Sequence, residues 1–454
     1  MMRRKNLHYY DIWVYFFTVK YHICLILFLL FLLMQIFRPY YVDELVHTIQ
    51  QAHSKLIFLH GGRWSWKTTI LKQILSDHSL SQKKYYFSFE DEIVAKKFKN
   101  ADDFKWYMQI KYGINFYENN ILLLNEIQYS KNFINVLEEL LQDSEINTII
   151  IVTGIIQQQS EEYQKILSWG KTTTITIHPL WFFDFLQYKN IHTTYLTLDN
   201  PSQIMFREIQ TLLDEYLIWG WYPEVIKATT SDRKEHQLKA IIQKVYDKDV
   251  GFYFNGEEIL VFQDLMEQLC HNSMQWFKYK TVAQELEISI PLLKRYINFF
   301  NDNCLIETLS YFYTNKTKEL SHQETILIGD MGIFSYMTGN FGSKLHNIVA
   351  IKNFVYNEIV KNLWEHEQCF TYQKINNSKI DFIIQHEDGT LTPIIVSESN
   401  TNKPAKIFKW FHKVYGDRVR QYIKTTPLLA YQWATLDRKF LCIPHFMIQT
   451  VVWS

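Results

Sequence analysis

The feature that most constrains this chain is a loop between an apolar run and a helical run, at residues 56–75. The loop begins at Gly61 and ends at Lys67 and Thr68, with the spacing GxxxxGK[ST] in all but one position. A strand, a loop and a helix in this order form a P-loop, in which backbone N–H groups and the lysine hold nucleotide phosphates. The exception is the second glycine, which is Trp66, where the inward-turned backbone leaves no room for a Cβ.

The sequence leaves two explanations of Trp66 open. In the first, the indole fills the phosphate cradle, and the chain is a nucleotide-free interaction protein with a degenerate P-loop. In the second, some tryptophan codons are UGA read as glycine in the native host, and glycine at Trp64 and Trp66 would complete the loop as GGRGSGKTT. The composition favours recoding, because 13 Trp stand against 14 Gly in 454 residues, whereas Gly is about 7% of an average chain. Trp221, next to Gly220 in a turn-like stretch, is a further candidate.

A second apolar strand predicts the catalytic side of the same site. It runs from residue 120 and ends in Asn125 and Glu126. A continuous apolar run is typical of a strand buried on both faces, and ligands bind at the carboxyl ends of such strands. Glu126 is therefore expected to orient the attacking water, while Asn125 stands where a magnesium-binding Asp is usual. Thr153, at the end of a third apolar strand, is expected near the γ-phosphate.

These motifs predict a site for ATP and Mg²⁺, with Glu126 as the catalytic residue. The expected nucleotide-binding residues are Gly61, Gly62, Arg63, Trp64, Ser65, Trp66, Lys67, Thr68, Thr69 and Thr153, and the expected metal ligands are Thr68 and Asn125.

Residues 1–34 form an apolar N-terminal extension with two interpretations. Either residues 21–37 anchor the chain in the inner membrane, or Met34 is the true start and the preceding residues are upstream sequence. The apolar run is short against the ~20 residues that a spanning helix needs. Five cysteines are scattered without a CxxC pair, so neither a zinc site nor a disulfide framework is indicated. A cytoplasmic location is the simplest expectation.

The middle of the chain predicts helices and a small DNA-binding-type fold. Amphipathic spacing over residues 196–270 predicts a helical lid and connector. Within residues 271–320, two helices joined by a tight turn precede a strand, which is a winged-helix pattern. The 47 Lys and Arg balance the 47 Asp and Glu, so no overall field favours nucleic acid. The second helix exposes Lys294 and Arg295 but few other cations, so DNA binding, protein binding and a purely structural role all remain open.

The order of the motifs resembles that of the prokaryotic AAA-type ATPases. After the P-loop, the segments LNEIQ, VTG, IHPLWFFDFL and YLIWGWYPEV stand where that family has LDEIQ, TGS, PLSFxEF and a GGYPEV-like turn. The resemblance covers roughly residues 35–450. It implies an α/β chain with an AAA-type P-loop NTPase parallel sheet at residues 35–195, followed by the lid, the winged helix and a nuclease-like α/β domain at residues 321–454. A homo-oligomer remains open.

The nuclease-like domain is expected to lack nuclease activity. An active site of that class needs an Asp and then Glu-x-Lys on the next strand, to hold Mg²⁺ and activate water. Asp381 is present, but Ile395 and Ser397 occupy the other two positions. Glu398 would point to the opposite face of its strand. We therefore expect the domain to serve recognition or assembly.

Overall fold

The structure is a computed structural model, and the chain divides into residues 1–40 and 41–454. The N-terminal extension, the segment 21–37, Arg63 and Trp64 lie outside the described residues. Within the described part, no helix is both long and apolar enough to cross a membrane. The structure describes residues 39–51, 55–62, 65–90, 98–130, 132–154, 164–165, 168, 172–178, 180–193, 203–312, 324–342, 347–363, 366–373, 378–427, 431–433 and 440–452.

The first domain is a five-stranded parallel sheet with strand order β2-β3-β4-β1-β5. One apolar cluster covers each face, which explains why the central strands are continuous apolar runs. This confirms the predicted α/β class. The strands are β1 Leu56–His60, β2 Lys83–Ser88, β3 Asn120–Asn125, β4 Ile149–Thr153 and β5 Thr172–Thr176, and the helices are α1 Pro39–Gln50, α2 Lys67–Ser76, α3 Ala101–Tyr112, α4 Phe133–Gln142 and α5 Phe182–Tyr188.

The middle module, defined here as described residues 203–312 and 324–342, combines helices with a three-stranded antiparallel sheet of order β6-β8-β7. Its helices are α6 Gln203–Trp219, α7 Pro223–Lys227, α8 Ser231–Lys244, α9 Gly251–Tyr253, α10 Glu257–His271, α11 Tyr279–Glu285, α12 Ile290–Asp302 and α13 Met331–Met337, and its strands are β6 Trp276–Phe277, β7 Ile306–Ser310 and β8 Glu324–Ile328.

Strand β8 lies just after the predicted domain boundary at residue 321. The prediction assigns this apolar run to the C-terminal domain. In the structure it pairs with β7 along its full length, from Ile306 opposite Ile328 to Ser310 opposite Glu324. An apolar run predicts a buried strand but not its partner, because pairing is a long-range property.

The C-terminal domain is a six-stranded mixed sheet of order β13-β14-β12-β11-β10-β9. Strands β11, β12 and β14 are parallel, and the other neighbours are antiparallel. The strands are β9 Gln368–Gln373, β10 Lys379–Gln385, β11 Leu391–Val396, β12 Tyr422–Thr426, β13 Tyr431–Trp433 and β14 Phe440–Pro444, with helices α14 Ile348–Val360, α15 Lys406–Tyr415 and α16 Gln449–Val452.

A buried ion pair attaches this domain to the first one. The Lys361 amine lies 3.0 Å from the Glu358 carboxylate and donates to the Leu180 carbonyl oxygen at 3.0 Å. The carboxylate accepts the backbone N–H of Phe182 at 3.3 Å, at the start of α5. Both charges are thereby satisfied inside the protein, as buried charges must be.

Candidate functional site

The predicted P-loop joins β1 to α2, and the structure describes it at residues 61, 62, 65 and 66. Gly61 has φ +150°, and a Cβ there would lie 2.4 Å from the Ile177 carbonyl oxygen. Lys67 is buried, and its amine donates to the carbonyl oxygens of Gly61 and Gly62 at 2.8 and 2.7 Å. The Lys67 amine therefore lies against the start of the loop.

Trp66 has the backbone of a glycine. Its φ is +73° and its ψ is +17°, a left-handed conformation that costs a non-glycine residue about 1–2 kcal/mol. The indole is partly buried, and its Nε1 has no hydrogen-bond partner among the described residues. The Lys227 amine lies 5.8 Å from the ring centroid. The conformation favours glycine at this position.

Trp221 is different, because the structure accommodates its side chain fully. It is 2% exposed, and its Nε1 donates to the Gly329 carbonyl oxygen at 3.1 Å. The left-handed residue of this turn is Gly220, at φ +76°. The Trp221 backbone N–H donates to the Asp330 carboxylate at 2.8 Å. Nothing in the geometry of position 221 requires glycine.

Asn125 is the centre of a polar network at the carboxyl ends of the strands. Its Oδ1 accepts the hydroxyls of Thr68 at 2.8 Å and Thr153 at 3.0 Å, and its Nδ2 donates to Ser88 Oγ at 3.2 Å. The parallel order of the sheet brings β3 and β4 together with the start of α2. Three of the predicted site residues thus contact one another, although they are far apart in the sequence.

Glu126 is buried beside this network in a left-handed conformation, with φ +58°. Its backbone N–H donates to Thr153 Oγ1 at 3.1 Å, and the Gln128 amide donates to its carboxylate. Backbone in this region is uncommon for a non-glycine residue and occurs often at functional sites. The carboxylate is therefore held in one orientation next to the proposed metal ligand.

The structure also describes Ser65 and Thr69 of the predicted loop. Ser65 is 1% exposed, and its Oγ has no partner among the described residues. Thr69 lies in the first turn of α2. His60, the last residue of β1, is not among the predicted site residues, although it precedes Gly61 directly. Burial and the neighbouring Lys67 charge lower the pKa of its imidazole to about 4, so it is neutral at pH 7.

The helix pair of the middle module is α11 and α12, and two cations of α12 contact other groups of the protein. Arg295 donates to the Glu258 carboxylate at 3.2 Å and to the Tyr253 carbonyl oxygen at 3.0 Å. The Lys294 amine lies 5.8 Å from the Tyr279 ring centroid. These contacts reduce the positive surface that α12 could offer to DNA phosphates.

Asp381 of the C-terminal sheet also has protein partners. Lys352 lies 2.6 Å from its carboxylate, which accepts the backbone N–H of Val396 at 2.8 Å. Glu398 is exposed. Among the described residues there is no group of three or more His, Cys, Asp or Glu suited to a metal ion.

Family models match two stretches of the chain, one in the first domain and one in the middle module. Residues 53–186 match a family model described as an AAA domain, and residues 210–344 match one described as a domain of unknown function. An uncharacterized protein of Methanocaldococcus jannaschii is 27% identical over 381 residues, covering 81% of this chain and 80% of that protein. An uncharacterized protein of Haemophilus influenzae is 24% identical over 366 residues, covering 78% and 85%.

Solved structures give distant likenesses. The Walker-type ATPase of Pyrococcus abyssi is 12% identical, with a TM-score of 0.43, and the match covers 67% of this chain and 96% of that one. The replication initiator DnaA bound to AMPPCP and single-stranded DNA is 13% identical, with a TM-score of 0.26, over 58% and 87% of the two chains.

Proposed function

We propose, from the AAA-type P-loop ATPase domain at residues 53–186, that this chain binds Mg·ATP in the loop and hydrolyses it slowly. We further propose that the nucleotide state changes the disposition of the middle module and the C-terminal domain. The observation that carries the proposal is the contact of Thr68 and Thr153 with Asn125, beside the buried Lys67. Parallel strands and a P-loop bring these groups to one edge of the sheet.

Each residue has a defined task in this proposal. Lys67 and the loop N–H groups would bind the phosphates, and the hydroxyl of Thr68 with the amide oxygen of Asn125 would hold Mg²⁺, directly or through water. Mg²⁺ when bound neutralises phosphate charge. Glu126 would accept a hydrogen bond from water and orient it. Asn125 brings no charge to the metal, which is why we propose slow turnover.

The loop accepts phosphates only if position 66 carries no large side chain. We therefore propose that Trp64 and Trp66 are glycine in the native protein, through UGA recoding. The left-handed backbone at position 66 supports this proposal there, whereas Trp221 is well accommodated as tryptophan. Two observations test this proposal. The first is the codons at positions 64 and 66, and the second is the mass of the tryptic peptide that spans the loop, measured on protein from the native host. UGG codons would end the proposal.

The rival function is a nucleotide-free interaction protein. The specific observation in its favour is the indole of Trp66, which lies in the loop of the sequence as written. The two functions differ in one measurement, the binding of a fluorescent ATP analogue by protein made in its native host. Absence of binding there would leave the interaction protein as the better assignment.

The other domains are proposed as recognition elements. The helix pair and three-stranded sheet of the middle module support a winged helix, and the pairing of Arg295 with Glu258 favours a protein partner over DNA.

We propose that the C-terminal sheet is nuclease-like but inactive as a nuclease. The pairing of Asp381 with Lys352 supports this, because the carboxylate is already neutralised.

Glu126→Gln is expected to keep nucleotide binding and to slow hydrolysis by about 100-fold or more, because the amide cannot accept a proton. Phosphate release and retained nucleotide are to be measured in parallel. The matched control is Glu118→Gln, an exposed residue just before the same strand, which should leave both unchanged. Hydrolysis at the original rate in the Glu126 variant would move the catalytic base elsewhere.

Asn125→Asp is expected to lower the Mg²⁺ concentration needed for ATP binding by about tenfold, equivalent to ~1.4 kcal/mol. The carboxylate keeps both acceptor contacts with Thr68 and Thr153 and adds a charge that Mg²⁺ prefers. Magnesium titrations of nucleotide affinity measure the effect. Asn132→Asp, on the exposed start of α4, is the control. If both variants respond alike, Asn125 is not at the metal.

A further inference from the structure

The P-loop is in direct backbone contact with the middle module. A Cβ on Gly62 would lie 2.2 Å from the carbonyl oxygen of Asn303 and 3.1 Å from the Cβ of Cys304. These two residues form the turn between α12 and β7. The Gly62 backbone N–H lies close enough to the Cys304 thiol to lower its pKa. A side chain at position 62 would therefore overlap the turn.

The turn itself, rather than the P-loop, is what requires glycine at position 62. Gly62 does not have a positive φ, unlike Gly61, so its backbone conformation is available to any residue. Cys304 is the strained member of the contact, with φ +54°. Burial raises the pKa of its thiol to about 12, against the opposing effects of the Gly62 N–H and the Lys67 charge. The thiol is therefore uncharged at pH 7.

The module reaches the loop at a second place. Lys227, at the end of α7, lies 5.8 Å from the Trp66 ring centroid. Helix α7 starts at a turn that is fixed to the rest of the module, because Trp221 donates its backbone N–H to Asp330. One module thus contacts both ends of the P-loop, at Gly62 and at Trp66.

We infer that the middle module, whose family model has no known function, senses the nucleotide by docking on the P-loop through the turn of residues 301–305. This inference rests on the proposed function. The Gly62 carbonyl oxygen holds the Lys67 amine at 2.7 Å, and the same glycine contacts the turn. The glycine that contacts the turn is therefore also one of the two residues that position the Lys67 amine. Nucleotide binding to the loop then stabilises docking of the turn, and docking strengthens nucleotide binding by the same free energy, as linkage requires.

The test is amide hydrogen exchange of the full chain, in the Trp66 form and in the Trp66→Gly variant. Mg·ATP is expected to slow exchange of peptides covering residues 299–308 by about fivefold or more. Lys67→Ala should abolish this slowing. If Mg·ATP binds and protects the P-loop but leaves residues 299–308 unchanged, the inference is wrong. If neither form binds Mg·ATP, the proposed function fails instead.

A second arm tests docking without nucleotide. Gly62→Ala on the loop and Cys304→Ala on the module should each speed exchange at residues 299–308, and the double variant should add little. Gly251→Ala, where an added Cβ meets nothing within 4 Å, is the control. Melting curves confirm that the variants fold. Exchange at the control rate in both single variants would overturn the inference.

Discussion

Lys67→Ala is expected to weaken Mg·ATP binding by about 100-fold or more in protein whose P-loop carries glycine at position 66. Two charge-assisted hydrogen bonds to phosphate, at about 1.5–3 kcal/mol each, are lost. Among the described residues, Lys67 is the cation whose amine lies against the loop carbonyls. Titration with a fluorescent ATP analogue measures the loss, and melting curves check that the variant folds.

The control for this prediction is Lys72→Ala. Lys72 lies on the same helix, α2, but is exposed, so its removal changes the charge of the helix without touching the loop. It should leave the affinity within about twofold, as an exposed charge is screened by salt. Equal affinity in the Lys67 variant and the unchanged protein would show that residues 61–69 are not the nucleotide site.

Trp66→Gly, combined with Trp64→Gly, is expected to convert a chain that binds Mg·ATP poorly into one that binds it well. The substitution removes the indole from the loop and relieves a left-handed backbone at φ +73°. At a Mg·ATP concentration 100 times the Kd, binding should stabilise the variant by about 2.7 kcal/mol. Thermal unfolding with and without Mg·ATP measures this difference directly.

Trp221→Gly is expected to destabilise the protein, in contrast to Trp66→Gly. Its indole is buried and hydrogen-bonded to the Gly329 carbonyl oxygen, so truncation should destabilise the fold by about 3–5 kcal/mol with no gain in nucleotide response.

Equal Mg·ATP shifts in the Trp66 form and the Trp66→Gly variant would mean that Trp66 does not lie in a phosphate loop. Stabilisation by Trp221→Gly would show instead that recoding extends to that turn.

The sequence predicts those parts of the site that are made of residues close together in the chain. The P-loop and Glu126 follow apolar strands directly, so spacing alone indicates them. The contact of Asn125 with Thr68 also follows, since parallel strands end at one edge of a sheet. The partner of strand β8 and the contact of Gly62 with Asn303 do not follow. Both depend on contacts between residues that are distant in the sequence, and hydrophobic periodicity carries no such information.

Glu358 illustrates the same limit. In the sequence it is a helical carboxylate near the predicted nuclease-like strands. In the structure it caps α5 of the first domain and pairs with Lys361. Removing one partner of a buried pair costs about 3–5 kcal/mol, so this residue stabilises the attachment of the C-terminal domain.

The end of helix α6 contacts the C-terminal part of the middle module. Trp219, at the end of α6, stacks edge-on against Phe341, with ring centroids 4.8 Å apart, and Gly332 lies directly against the Trp219 carbonyl oxygen. These contacts join the end of α6 to residues that follow strand β8. A chain shortened after Ile328 would therefore lose packing of α6 as well as helix α13.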